Sequence, residues 1–405
     1  MVALVFMLHL GASNPGEQMD FQLSDEQRQL QDMAGRFARE EMSELARDLE
    51  REARTLPDEW MRRLAEMGFL GLNLPEEYGG QGMSHLDAVL VLEEFVKVGA
   101  SVAFPIFESC FGPAQSIFRY ADEGLKQRIL PAVCRGELIV AVSMSEPNAG
   151  SALTDLTTRG EIDGDTVVLN GQKRWSSGAG HSGGYLVYCR LADQPGAAGI
   201  GAVYVEKDTP GVSFGKREHL MAFRSVHHAD IFLDDVRVPA ENIVVSAGGF
   251  KALMQSFGLE RCGNTTMSLG LAQAAFDDVV NYIQERRAFG RPLDDFQAVQ
   301  LKVAEMKMKL DASRMLLYRA VSNAMDALPD SGEALIAKCY ANEIVRDVCV
   351  TSMQLMGGYG YSTEYPMEQR VRESFGWGLA GGTVDIQKIN IASAVLGRRY
   401  DQRRA

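Results

Sequence analysis

From Ser24 onward the apolar residues fall on helical faces. Leu30, Met33, Phe37 and Met42 recur at near-helical spacing behind a Ser-Asp-Glu-Gln capping box that closes on Gln27. Pro57 opens a second helix with Trp60, Leu64 and Met67 on one face, and Gly68 ends it. Residues 72–82 read as a loop, and a third helix runs from a cap at Ser84 to about Val98. Near Ile139 the pattern changes. Short β-rich runs at 167–169, 185–189, 202–205 and 231–233 are separated by turn signals such as Asp163-Gly164 and Asn170-Gly171. No helical period lies between them, so an antiparallel barrel or sandwich is expected rather than a doubly wound sheet. After Pro239 helical spacing returns at 259–287, at Val303, Met306, Leu310 and Leu317, and at 333–356, which predicts a bundle. The chain is therefore expected to be α+β. An N-terminal helical domain (19–136) would be followed by a central β-domain (137–245) and a C-terminal bundle of four-helix type (246–405).

Composition narrows the chemistry. A net charge of −13 over 405 residues argues against nucleic-acid binding, which needs concentrated Lys and Arg. Six cysteines without C-x-x-C spacing and six histidines without H-E-x-x-H leave no metal site to predict. No G-x-G-x-x-G follows a strand, which argues against a Rossmann dinucleotide site. Residues 1–18 begin apolar, but the run is too short to span a bilayer and lacks a basic start. They read as a flexible leader or a misassigned start. No membrane insertion and a cytoplasmic location are the expectations.

Five segments carry a resemblance: A-V-S-M-S-E-P-N-A-G-S from Ala141, L-N-G-Q-K-R-W-S-S from Leu169, E-R-R-A-F-G-R-P-L from Glu285, Q-L-M-G-G-Y-G-Y from Gln354 and G-G-T-V-D-I-Q from Gly381. In this order and spacing the chain resembles the acyl-CoA dehydrogenase family from Met19 to about Arg399. The resemblance implies the three-domain fold above, FAD, an acyl-CoA substrate, electron-transfer flavoprotein as acceptor, and a homotetramer. It assigns Met144, Ser145, Trp175, Ser176 and Ser177 to the flavin, with Ser177 the hydroxyl near N5. Arg286 and Phe289 would be lent to a neighbouring subunit's cofactor. Gln354, Gly357 and Gly358 would form another cofactor turn, with Thr383 and Asp385 nearby. Ser151 would stand at the mouth where pantetheine meets flavin.

Many relatives carry their catalytic glutamate where this chain has Gly381, and glycine cannot remove a proton. A minority, similar to the isovaleryl-CoA and long-chain enzymes, place it before an arginine in the first long C-terminal helix. Here that position reads Glu260-Arg261. Glu260 is thus the expected base, and Arg261 either helps organise the substrate pocket or makes a helix-surface salt bridge. Ala380 and Gly381, with Gly376 and Gly378 upstream, predict room for a branched, cyclic or bulky acyl group. Ala152 and Gly258 depart from the family pattern, as does Met221-Ala222-Phe223-Arg224. These departures keep open a carrier-protein thioester, an oxidase or an enoyl reductase. A non-catalytic subunit of a heteromeric enzyme is the remaining alternative. Intact Glu260 and Arg286 argue against that subunit, and Glu260 against a monooxygenase-like use of flavin. The adjacent His227 and His228 are expected to pack locally rather than bind metal.

Overall fold

The computed structural model describes residues 21–398 and 400 of the chain, so the 1–18 leader lies outside the described residues. Six helices come first: α1 (Asp25–Glu52), α2 (Asp58–Glu66), α3 (His85–Val98), α4 (Ala100–Cys110), α5 (Pro113–Tyr120) and α6 (Glu123–Cys134). Capping boxes start α1 and α3. Ser24 and Gln27 exchange bonds of 3.1 Å, and Ser84 and Asp87 exchange bonds of 3.2 and 3.0 Å. They satisfy amides that a helix start otherwise leaves bare.

Eight strands follow: β1 (Val140–Ser143), β2 (Arg159–Asp163), β3 (Thr166–Ser177), β4 (Gly184–Arg190), β5 (Ile200–Glu206), β6 (Val212–Phe214), β7 (His228–Pro239) and β8 (Ile243–Val245). They form one mostly antiparallel sheet in the order β6-β7-β3-β2-β4-β5-β8, with β1 parallel to β4. On β4, Tyr185, Val187 and Cys189 join a core with Leu169 and Ile231, whereas Leu186 and Tyr188 turn to Ile117 and Ile129 of α5 and α6. Both faces are covered, which is why this strand is an unbroken apolar run.

The expected turn at Asn170-Gly171 is instead a bulge inside β3. Asn170 accepts from the Asp235 amide at 2.9 Å and donates to its carboxylate at 3.0 Å. Gly171 has φ +151°, and a Cβ there would sit 2.5 Å from Thr158 Oγ1. The dipeptide bends the strand without ending it.

The C-terminal part holds α7 (Phe250–Glu285), a hairpin of β9 (Arg287–Ala288) and β10 (Arg291–Pro292), α8 (Gln297–Ala324), α9 (Ser331–Met356), the single turn α10 (Gly358–Tyr361), α11 (Met367–Gly376) and α12 (Val384–Val395). Its core runs without a break into that of α1, α3 and α4, so α7 packs between two helical layers. Among the described residues no helix is long and apolar enough to cross a membrane, and no group of three or more His, Cys, Asp or Glu could hold a metal.

Candidate active site

Ser256, Glu260 and Gly263 lie along one face of α7, because residues four and seven apart stack there. Ser256 Oγ meets Ser116 Oγ of α5 at 2.6 Å. A Cβ on Gly263 would come within 2.7 Å of Phe111 and 2.8 Å of Phe107, so α4 seats directly on this turn. Glu260 lies between the two anchors along the helix and is partly exposed. Among the described residues no donor engages its carboxylate. Burial pushes the group up to about 8, against the pull of Arg261 and Lys338.

The next face of α7 meets α9, where Asn342 donates to Asn264 Oδ1 at 2.9 Å. Arg261 is buried there rather than lying on the helix surface, 5.2 Å over the Phe257 ring, with its Nε unpartnered. Lys338 is fully buried and donates to Ala380 O at 2.9 Å and Gly382 O at 2.8 Å. Burial lowers its ammonium to about 8. A Cβ on Gly381 would lie 3.6 Å from Phe257 and 3.7 Å from Lys338 Cε. Lys338, whose charge acts on Glu260, thus also lies against the Gly381 turn. Ala380 is exposed beside them. Gly376 needs correction: it does not widen an acyl pocket, because the Phe223 ring already occupies the space its Cβ would take.

Two flavin segments predicted from sequence are bound together. Arg174 N donates to Ser145 O at 2.8 Å, and Lys173 Nζ reaches Met144 O at 3.3 Å and Glu146 Oε1 at 2.8 Å. Burial would raise Glu146, but Lys173 and the Thr157 and Thr158 donors outweigh it and hold the carboxyl at about 2. Trp175 takes φ +61° and leaves 51% of its surface exposed, with the Arg174 guanidinium 4.2 Å over the indole. Left-handed backbone at a bulky residue is strained and is kept where function over-determines it. Ser176 is buried with its Oγ unpartnered. Ser177 Oγ lies 3.0 Å from His228 Nε2, and His228 Nδ1 lies 2.8 Å from Val226 O. The carbonyl requires a proton on Nδ1, so Nε2 accepts from Ser177. The His227 ring packs tilted against that of His181, with centroids 4.6 Å apart. A half-exposed flat indole, an orphaned buried hydroxyl and backbone groups at one edge suit a planar heteroaromatic ring such as flavin.

Arg286, Gly357 and Gly358 meet elsewhere, on a cleft of about 600 Å³ shared with Tyr282 and Tyr359. No atom lies within 4 Å of a Cβ built on either glycine, which leaves the backbone open to a ligand. Gln354 is exposed one turn earlier on α9. Phe289 sits in the β9–β10 hairpin with φ +52° and is 96% exposed. Thr383 caps α12 by accepting from Ile386 N at 3.4 Å, and Asp385 is exposed in its first turn. Ser151 is exposed on the loop after β1. No hydrogen bond, ion pair or ring contact among the described residues joins this cleft to Trp175.

Sequence reasoning missed Lys338, the Glu146–Lys173 pair, Glu108 and Tyr188. Glu146 and Lys173 stood inside the quoted motifs, and their opposite charge was the available signal. Glu108 and Tyr188 reach Glu260 only through tertiary packing.

Known proteins resemble the chain in all three domains. Family models match throughout: acyl-CoA dehydrogenase N-terminal domain over residues 24–137, middle domain over 141–236 and C-terminal domain over 247–396. The chain is 36% identical to 3-sulfinopropanoyl-CoA desulfinase of Paraburkholderia xenovorans, covering 95% of this chain and 100% of that protein. It is 34% identical to acryloyl-CoA reductase (NADH) of Anaerotignum propionicum, covering 94% and 97%. The structure of butyryl-CoA dehydrogenase from Megasphaera elsdenii superposes with a TM-score of 0.90 at 31% identity, covering 93% of this chain and 100% of that one. The chain belongs to the acyl-CoA dehydrogenase family, FAD-dependent oxidoreductases acting on CH–CH groups.

Proposed function

We propose that the protein dehydrogenates an acyl-CoA thioester between Cα and Cβ, with Glu260 as the base. One observation carries this reading. Glu260 is a carboxylate with no donor of its own among the described residues, and the lysine whose charge acts on it, Lys338, lies with Phe257 against the Gly381 turn. Its lone pairs are free for the Cα proton, which the thioester carbonyl acidifies. An affinity raised to about 8 makes it a far better base than an ordinary glutamate. Arg261 stays charged and balances the carboxylate as it ionises, while Lys338 fixes the turn by holding two of its carbonyls. FAD, when bound along Met144, Ser145 and Trp175–Ser177, supplies the acceptor for the Cβ hydride. Ser151 would border the pantetheine mouth, and Ala380 would give the acyl group room. Arg286, Phe289, Gln354, Gly357 and Gly358 would serve the cofactor of a neighbouring copy, with Thr383 and Asp385 near the chain's own. This implies a homotetramer that passes electrons to an electron-transfer flavoprotein.

Anaerobic mixing with a panel of acyl-CoAs tests the reading. Flavin bleaching is expected with at least one of them and should be lost in Glu260→Gln. A second reading comes from the relative named 3-sulfinopropanoyl-CoA desulfinase. Sulfite release from that thioester without bleaching would favour it.

A further inference from the structure

We infer that His228 is a positioning residue: it accepts the hydrogen bond of the Ser177 hydroxyl, leaves the Ser177 oxygen as a bare acceptor at the flavin edge, and so favours reduced over oxidised FAD. The inference rests on the placing of FAD along Met144, Ser145 and Trp175–Ser177 proposed above, with Ser177 near N5. Ser177 ends β3 and His228 begins β7, and the two are directly opposed in the antiparallel register. Opposed side chains leave a sheet on the same face, so the hydroxyl and the imidazole meet. Ser177 Oγ stands 3.0 Å from His228 Nε2, and among the described residues it makes no other hydrogen bond.

The backbone holds this pair in place. Gly178 N donates to His227 O at 2.6 Å, and Glu218 N donates to His228 O at 2.8 Å. The β3 register slips between Lys173 and Ser176, around the left-handed Trp175, and pairing resumes with Ser177 opposite His228. Val226 O lies 2.8 Å from His228 Nδ1 and can only accept, so in a neutral ring Nδ1 carries the proton and Nε2 a lone pair. A protonated ring would donate from both nitrogens. Burial opposes that form most, the Val226 carbonyl favours it and the Arg217 guanidinium opposes it, and the balance is a lowered proton affinity.

A serine hydroxyl has one proton and two lone pairs. With the proton directed to His228, only lone pairs remain for the partly exposed side of Ser177. Oxidised flavin N5 is an acceptor and finds no donor in such an oxygen. On reduction N5 gains an N–H, which the oxygen can accept. The pair therefore stabilises the reduced ring and raises the flavin's midpoint potential, which suits drawing hydride from a saturated acyl group rather than returning it.

The test is the midpoint potential of the flavin in purified holoprotein, read by anaerobic titration against a reference dye without any thioester. It is run at about pH 8, where a histidine of lowered affinity is neutral. Ser177→Ala removes the acceptor and should shift the equilibrium about tenfold toward oxidised flavin, which is about 30 mV downward for a two-electron couple. His228→Phe keeps a flat ring but frees the hydroxyl to donate to oxidised N5, and should lower the potential as well. In the Ser177→Ala background His228→Phe should change it no further, an outcome that lost packing alone would not give. An unchanged or raised potential in Ser177→Ala overturns the inference, whether or not His228→Phe folds, because a serine that donates to the oxidised ring has the opposite sign. So does an effect of His228→Phe that persists without Ser177. If the potentials follow the expected signs but no acyl-CoA bleaches the flavin, the proposed dehydrogenation fails by itself and the assignment of His228 stands.

Discussion

The middle of α7 and the cleft at its far end carry opposite kinds of chemistry. Around Glu260 the groups are enclosed and their proton affinities displaced: Glu260 upward to about 8, Lys338 downward to about 8, and Tyr188 upward through burial and then Glu260. Around Arg286 the groups are open, with bare glycines and a phenylalanine 96% exposed. Displaced affinities come from one chain's own packing, whereas exposed hydrophobic residues await another surface. On the proposed reading, proton removal belongs to a single chain and cofactor retention depends on two.

Glu260→Gln is the sharpest way to break it. The flavin reduction rate should fall by ~10²–10⁴ while FAD content and assembly stay near wild type, because the amide keeps size and polarity. Stopped-flow absorbance and released-flavin spectra read the two quantities. A near-normal rate would mean that another group takes the proton.

Arg286→Ala should do the converse. A charge-assisted bond is lost, so FAD affinity should fall on the order of 10- to 100-fold, and more FAD should be shed on dilution. The pH midpoint of reduction should not move. Ultrafiltration over a protein dilution series checks this, and retention equal to wild type would sever the cleft from the cofactor.

The pH profile separates the regions without a mutation. A carboxyl acts as a base only when ionised, so on the proposed reading kcat/KM should rise roughly tenfold per pH unit and level off above about 8. Burial sets this midpoint first, with Arg261 and Lys338 pulling it down. Lys338→Met should therefore move the midpoint upward. A flat profile between pH 6 and 8 would contradict a raised carboxyl.

Gly381→Glu combined with Glu260→Gln should restore under about a tenth of the wild-type rate. Gly381 holds φ +64°, where a glutamate costs about 1–3 kcal/mol of strain. Full recovery would show that the turn relaxes freely.

The smallest effect is on stability. Folded Glu260 keeps its proton up to about 8, whereas an unfolded glutamate releases it near ~4.3. Between those values the folded chain binds more protons, so this group's contribution to stability falls as pH rises. Glu260→Gln escapes that loss. Its melting temperature should exceed wild type by on the order of 2–4 °C at pH 8.5 and by less at pH 5, read by calorimetry.

Much of this was legible along the chain. Capping boxes at Ser24 and Ser84 and the continuous run of β4 are local signals, and the structure follows them. Asn170-Gly171 read as a turn because its composition suits one. The bonds to Asp235, 65 residues away, and the close approach of Thr158 hold it as a bulge. Gly376 read as open space for the same reason, since Phe223 fills it from another domain. Glu260 stood out only through the missing glutamate at 381. Lys338 and Glu108 gave no local signal, since a lysine and a glutamate in helices usually face water. Their burial belongs to the packed state alone.

The length of α7 has a genetic consequence. Glu260 and Arg286 are 26 positions apart on or at the end of one helix, which at 1.5 Å per residue is about 39 Å. That exceeds the reach of a side chain, so on the shared-site reading one chain's base and its lent arginine serve different catalytic centres. Chains bearing Glu260→Gln and chains bearing Arg286→Ala would each be impaired alone. Co-expressed, they would form mixed assemblies in which some centres draw an intact residue from each parent, and activity would return by complementation.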